Sequence, residues 1–454
     1  MNSNGAIDEP AYFPQRLFGK KEEAWYDPPK TKPAPAATQP QVAPAQEAAP
    51  PEGIVLRQEI LDARNRLCGY RLLPKALANH RPYPEALFLE ALHGERIVEF
   101  AQRRMAVIPI SPDAMVFKRH LPLQAPHTCL LMDLHHATLT REEMARRLLA
   151  LRDAGFRTAI AGATMSDADL PLLRAADLAF IDLSEYLLPN LQGMVRDLRA
   201  HFPKLALAAE GVHSWAEQRM CMSWGFEYCL GDFLGIRDDA DAEGELSESH
   251  LASFEMLNLL RRDAELPELV EVAKRDPGIA FHLLRWANSP ATGLATTVTS
   301  INQAIMVMGR AQLYRWLMVA MFRMGKKQER DESLLEVALT RARCLETLAA
   351  PGLSASEREE LFLVGLLSLF DVLLNMPMPR VLSQMQLADR ISDVLLRSEG
   401  PYGRFLMLAL ALEKGRAGQV AQLAERLAIP LDSLEPTRSA AFAWAQQALN
   451  TPAN

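Results

Sequence analysis

The spacing of apolar and polar positions changes character along the chain. Between residues 54 and 230, short apolar runs alternate with stretches of helical spacing. Runs 54–61, 69–73, 106–110, 129–134, 158–161, 178–183, 205–209 and 228–230 read as strands, and 85–105, 141–151, 170–174, 191–198 and 215–223 read as helices. The run at 69–73 is the hairpin partner or the continuation of the first strand. Such alternation predicts βα units and a parallel sheet, and so many units favour a barrel. After Ser249 the two-residue period vanishes. Helical patterns then run over 250–262, 334–349, 357–374, 378–385, 390–396, 403–413, 419–427 and 431–449, so the C-terminal half is expected to be all-α. Residues 239–249 are polar and acidic and read as a linker. Residues 1–52, rich in Pro, Ala and Gln, read as a disordered tail. An aromatic island interrupts it, Phe13 to Phe18 followed by Trp25-Tyr26.

The most punctuated stretch is 276–316. Asp276-Pro277 is a helix start, with the aspartate as cap and proline in the first turn. Ile279, Leu283, Leu284 and Ala287 share one face, and Asn288-Ser289-Pro290 stops the helix. Ser300 opens a second stripe of Ile301, Ala304, Ile305 and Met308. Gly309 closes it, and Gln312, Leu313 and Trp316 begin a third helix. In order and spacing this stretch resembles the core of the HDOD domain, a helical signalling module. The resemblance implies kinship with HD-type phosphohydrolases that have lost their metal chemistry. No His-Asp dipeptide occurs in the chain, and Ser368-Leu369 stands where it would fall. His282 lies among apolar residues and Asp371 has no histidine cluster beside it.

A second resemblance covers residues 54 to 238. Asp62, Gly69-Tyr70-Arg71-Leu72-Leu73, Ala209-Glu210-Gly211-Val212-His213, Gln218, Trp224-Gly225-Phe226 and Leu230-Gly231-Asp232-Phe233 resemble an EAL domain. That resemblance implies a βα barrel that hydrolyses cyclic di-GMP with two divalent cations, held by acidic and amide side chains at the strand ends. It sets Arg71 where the motif's glutamate would stand, and a guanidinium repels a cation. Pro109 or a neighbour falls at the ligand asparagine. Asp133 matches the third-strand glutamate, and Ala161-Gly162 match the paired aspartates. Phe180 matches a lysine, while Asp182 and Glu210 keep their acids. His213 stands at the next acidic position and Leu230 at the late glutamine. The literal strings Glu85-Ala86-Leu87 and Glu90-Ala91-Leu92 lie on a helical stretch and read as ordinary amphipathic helix. His135-His136 beside Asp133 read as a polar strand end, because neighbours on a strand face opposite ways.

Composition narrows the remaining choices. A net charge of −7 and a pI near 5.9 argue against a nucleic-acid footprint. Cys68, Cys129, Cys221, Cys229 and Cys344 show no zinc spacing and suit free thiols. No apolar run reaches membrane-spanning length and no secretory signal opens the chain, so a cytoplasmic address is expected.

The expectation is therefore a degenerate, shortened EAL-type barrel (53–238), a linker (239–249) and an HDOD helical domain (250–454) behind a disordered tail (1–52). With the acids reduced to Asp133, Asp182 and Glu210, the chain is expected to be no enzyme. It would carry no cofactor and act as a scaffold or adaptor on other signalling proteins. Alternatives are a non-catalytic cyclic di-GMP receptor and, less favoured, an active phosphodiesterase.

Overall fold

The computed structural model describes residues 53–77, 83–94, 96–116, 118–135, 139–240, 246–288, 297–324, 328–348 and 352–450. The proposed tail with its aromatic island, His136, and the Ser289-Pro290 end of the helix stop lie outside them.

Eight strands close into a barrel in sequence order: β1 (Gly53–Asp62), β2 (Leu67–Ala76), β3 (Met105–Pro109), β4 (Thr128–Asp133), β5 (Arg157–Ala161), β6 (Leu178–Asp182), β7 (Ala206–Glu210) and β8 (Tyr228–Cys229). Neighbours from β2 to β8 run parallel, but β1 is antiparallel to both β2 and β8. The expectation of a parallel sheet fails at this one strand. The Asp62 carboxylate accepts the backbone N–H groups of Arg64 (2.8 Å) and Arg66 (3.0 Å), and Asn65 takes a left-handed φ of 64°. So tight a turn makes a hairpin, because a parallel partner would need a long crossover.

Ile60, Met105, Val107, Cys129, Leu131, Ala159, Leu178, Phe180, Ala208 and Leu230 fill the barrel interior. Their strand neighbours Leu130, Ile160, Ala179 and Leu207 belong to the core outside the barrel. Burial on both faces is why these strands read as unbroken apolar runs. The helix expected over 85–105 is divided. Glu85–Gly94 and Ile97–Phe100 are separate, with Arg96 in the left-handed region (φ 56°) between them, and β3 begins at Met105. Both Glu-Ala-Leu strings lie on the first of these helices.

The C-terminal part is helical from Glu248 onward among the described residues. Its caps follow the residues that announce them. Asp276 accepts the Ile279 N–H at 2.9 Å and Ser300 accepts the Gln303 N–H at 3.2 Å. Asn288 ends the Pro277–Ala287 helix and stitches the chain beyond it, donating to Leu284 O (2.9 Å) and Val298 O (2.7 Å) while accepting the Val298 N–H (2.6 Å). Gly309, at φ 72°, turns the Ile301–Met308 helix into the Arg310–Ala320 helix. Trp316, Met308, Met318 and Met321 are buried core, whereas Met306 is exposed. Cys221 and Cys229 meet as free buried thiols.

The two halves share a polar junction. Glu336, on the Gln328–Thr347 helix, is 1% exposed. It accepts hydrogen bonds from the Tyr70 hydroxyl (2.7 Å), the Arg104 guanidinium and the Gln446 amide. Burial, then the charges of Glu336 and Glu59, holds the Tyr70 phenol well above its ordinary pKa, so it keeps the proton it donates to Glu336. Beside this knot the rings of Tyr70 and Phe442 meet edge to face at 5.2 Å. The Leu434–Asn450 helix reaches β1 as well: Glu435 accepts the Val55 N–H (3.0 Å) and Arg438 donates to Val55 O (3.2 Å). Removing one partner of a buried, charged network leaves the others unpaired. Glu336→Ala is expected to destabilise the protein by about 3–5 kcal/mol, read as a lower urea midpoint. A loss within about 0.5 kcal/mol, the range of ordinary surface changes, would contradict the role given to this junction.

Candidate functional site at the barrel mouth

The C-terminal ends of the parallel strands bring the expected residues to one rim. Asp133 and Ala161 are paired across β4 and β5, Ala161 and Phe180 across β5 and β6, and Asp182 and Glu210 across β6 and β7. Leu230 lies inside, 1% exposed, just past β8. Pro109 ends β3. Ser368 and Leu369 are far along the chain, after the Ala355–Leu367 helix. Ser368 accepts from Arg341 at 2.8 Å and Leu369 is buried. Burial holds His282 below its ordinary pKa and Asp371 above its own, and neither belongs to a cluster at the mouth.

Arg71 dominates the mouth. It projects from β2 into the barrel, pairs with Glu210 on β7 and lies over the Phe180 ring at 5.2 Å. The side chain is 11% exposed. Its Nε–H is buried and meets no acceptor among the described residues. Glu210, the most obvious surviving acid, is therefore engaged by the arginine that stands in place of the motif's glutamate.

The other acids have local partners. Asp182 accepts from the Ser184 N–H (2.8 Å) and hydroxyl (2.7 Å), capping the turn Leu183–Glu185. Asp133 accepts the His135 N–H at 2.9 Å, and its Oδ1 lies 2.9 Å from His135 Nδ1. His135 Nε2 lies 3.0 Å from Glu185. The result is a carboxylate–imidazole–carboxylate chain along the rim. Adjacency to Asp133 pointed toward His135, but only as a strand end, and nothing in the sequence pointed to Glu185. Gly162 explains the placement. It has φ 75°, and a Cβ there would come within 2.4 Å of the His135 ring. The imidazole occupies space that a side chain at 162 would need.

The EAL resemblance implies two divalent cations at this mouth. The donors present do not fit that pair. Arg71 is paired with Glu210, and Asp182 and Asp133 already hold hydrogen bonds. Among the described residues, no three His, Cys, Asp or Glu side chains are placed to hold one metal ion. The mouth instead offers a buried guanidinium beside a ring of acceptors.

The HDOD domain model matches residues 253–395. The protein named cyclic di-GMP phosphodiesterase CdgJ of Vibrio cholerae is 23% identical over 404 residues, covering 86% of this chain and 92% of that protein. The uncharacterized protein YuxH of Bacillus subtilis is 25% identical over 226 residues, covering 49% of this chain and 55% of that protein. Among solved structures, a PaMucR phosphodiesterase in complex with c-di-GMP is 17% identical with a TM-score of 0.32, covering 42% of this chain and 93% of that one. A standalone EAL protein from Vibrio cholerae O395, bound to c-di-GMP, is 18% identical with a TM-score of 0.33, covering 40% and 91%. An eight-stranded barrel thus stands ahead of a region that the HDOD domain model matches, and the chain is similar over most of its length to a protein named a cyclic di-GMP phosphodiesterase.

One expectation is overturned here. The reading of the chain as no enzyme rested on unmatched family positions, and a relative aligned through both halves is named a phosphodiesterase. Substituted letters at a rim do not establish lost activity, because neighbouring groups can rebuild a site. No described helix is long and apolar enough to cross a membrane.

The loop that follows β5 is tied down by Asp169, which is 4% exposed. Burial opposes its ionisation, but the Thr164 N–H (2.9 Å) and hydroxyl (2.8 Å) and the Arg141 guanidinium (3.0 Å) outweigh that and lower its pKa. A carboxyl with a depressed folded pKa contributes stability above its unfolded pKa and loses it as pH falls. Asp169→Ala is expected to cost about 1–3 kcal/mol at neutral pH, a gap that narrows below about pH 4. Thermal melts across that range check it, and a gap independent of pH would refute the assignment.

Proposed function

We propose that the chain is a cytoplasmic cyclic di-GMP signalling protein in which the barrel mouth takes the dinucleotide. The helical domain then acts as the adaptor that presents the bound state to protein partners. Arg71 is the observation that carries this reading. Its guanidinium stands at the C-terminal strand ends with a buried Nε–H that has no acceptor among the described residues. A phosphodiester oxygen is the acceptor such a donor suits. Cyclic di-GMP also brings two guanines, whose N1–H and N2–H edges are donors, and the partly exposed carboxylates of Asp133 and Glu185 are matching acceptors. The Vibrio cholerae relative supports this ligand class over most of the chain.

For the output side, Phe281, Met306 and Val307 are exposed on the packed helices Pro277–Ala287 and Ile301–Met308. Exposed apolar side chains on two adjoining helices suit protein contact.

Calorimetric titration with cyclic di-GMP tests the mouth. The wild-type chain is expected to bind saturably, and Arg71→Ala to bind at least about tenfold more weakly, the cost of one charge-assisted contact. Parallel samples with Mg²⁺ or Mn²⁺ are assayed for the linear dinucleotide. Product formation that Glu210→Gln abolishes would extend the reading to hydrolysis. Absence of saturable binding would overturn it.

A further inference from the structure

A cavity of about 140 Å³ that opens to solvent lies where the outer faces of β1 and β2 and the turn Asp232–Gly235 meet the helical part. The barrel lines it with Arg57, Glu59 and Tyr70. The helices Gln328–Thr347, Gly403–Glu413 and Leu434–Asn450 supply much of the facing wall.

The charges in this cavity are unevenly matched. Arg57 lies 3.7 Å from Glu435, and Arg438 lies 3.4 Å from the same carboxylate. Arg341 donates to both Glu413 oxygens at 2.8 and 2.7 Å. Lys414 lies 3.5 Å from Asp232. Each cation thus has a carboxylate. Glu59 has no such partner: among the described residues its carboxylate has no side-chain hydrogen bond or ion pair, and the charges acting most on it are those of Glu413, Glu336 and Asp232, all acidic. Burial, followed by these like charges, pushes its pKa up to about 7 against a favourable contact with its own backbone N–H. Apolar side chains, including Leu334, Val337, Leu412 and Phe442, complete the wall.

A carboxylate that lines an open cavity with no hydrogen-bonded or ion-paired side chain of its own among the described residues, beside an Arg341 already held by Glu413, is completed by a cation brought from outside. We propose that this junction cavity is a binding site for a small organic amine with an apolar body, whose ammonium group pairs with Glu59. The site is separate from the mouth, since Tyr70 lines the cavity while the adjacent Arg71 faces the barrel interior. An amine bound there touches the barrel on one side and the helical part on the other.

The test uses the full chain and 2-phenylethylamine, with 2-phenylethanol as its uncharged counterpart, in calorimetric titrations at pH 6 and pH 8. The amine stays protonated over this range, so the pH dependence reports the protein. Because the Glu59 pKa is raised, its charged form grows as pH rises through 7. Arg57, Arg341, Arg438, Lys414, Asp232, Glu336 and Glu413 are the charged neighbours, while burial holds the Tyr70 phenol well above its ordinary pKa and pushes the Cys344 thiol up to about 12, so neither loses its proton over this range. Binding of the amine is expected to be saturable and about tenfold tighter at pH 8 than at pH 6. Glu59→Gln, nearly isosteric, is expected to weaken binding at pH 8 at least about tenfold and to abolish the pH dependence, with its melting transition retained. The alcohol is expected not to bind. Lack of saturable binding by the wild type, equal binding of the alcohol, or unchanged binding by a folded Glu59→Gln would each overturn the proposal. The pH dependence and the alcohol comparison decide the matter even if the variant fails to fold.

Discussion

A buried carboxylate, Glu336, sets the terms on which the two halves coexist. Placing a charge almost wholly out of water is costly unless donors surround it. Here they come from three separate parts of the chain: Tyr70 on β2, Arg104 just before β3, and Gln446 on the last long helix. Gln446 belongs to the helical part, but Tyr70 and Arg104 can satisfy Glu336 only when the barrel and the helical part are docked. The same surface solves a second problem. β1 pairs with β8 only at Leu61 and Asp62, so the Val55 backbone faces away from any strand on that side. Glu435 and Arg438 take its N–H and its carbonyl, as a neighbouring strand would, and cover an edge that would otherwise be open.

Local signals in the sequence were faithful wherever the physics is local. Strand positions followed apolar runs because both faces of each strand are buried, and Asp276 and Ser300 announced their helices because a cap acts within three residues. The antiparallel course of β1 was half visible, as a possible hairpin, because the Asp62 turn is short. Arg96 hid the break in the first helix, since its left-handed backbone leaves no trace in an apolar pattern. Features that join distant segments were not legible. Arg71 was visible as an odd residue in a motif, but its pairing with Glu210 requires the barrel to close. The Asp133–His135–Glu185 chain depends on Gly162 leaving room for the imidazole, which no spacing rule reveals. Counting family positions also misjudged activity, because such a count registers what has been replaced and not what the replacements form together.

The region matched to the HDOD family ends at residue 395, yet the contacts to β1 come from helices beyond it. Gly403–Glu413 and Leu434–Asn450 join the Gln328–Thr347 helix against the barrel. Glu435 and Arg438 are spent on β1, while Glu413 and Gln446 hold Arg341 and Glu336 of that helix.

β2 is the strand through which the two functional surfaces are related. Successive side chains on a strand face opposite ways, so Tyr70 and Arg71 cannot move independently of one backbone. Tyr70 is fixed to Glu336 and stands at the junction cavity, while Arg71 is fixed to Glu210 across the mouth. Gly69 tightens the arrangement: a Cβ there would lie 1.9 Å from the Met105 carbonyl oxygen, so β2 and β3 approach more closely than another residue would permit. β2 is therefore anchored from both faces, by Tyr70 to Glu336 of the helical part and by Arg71 to Glu210 across the mouth, so the docked helices and the closed barrel hold the same strand.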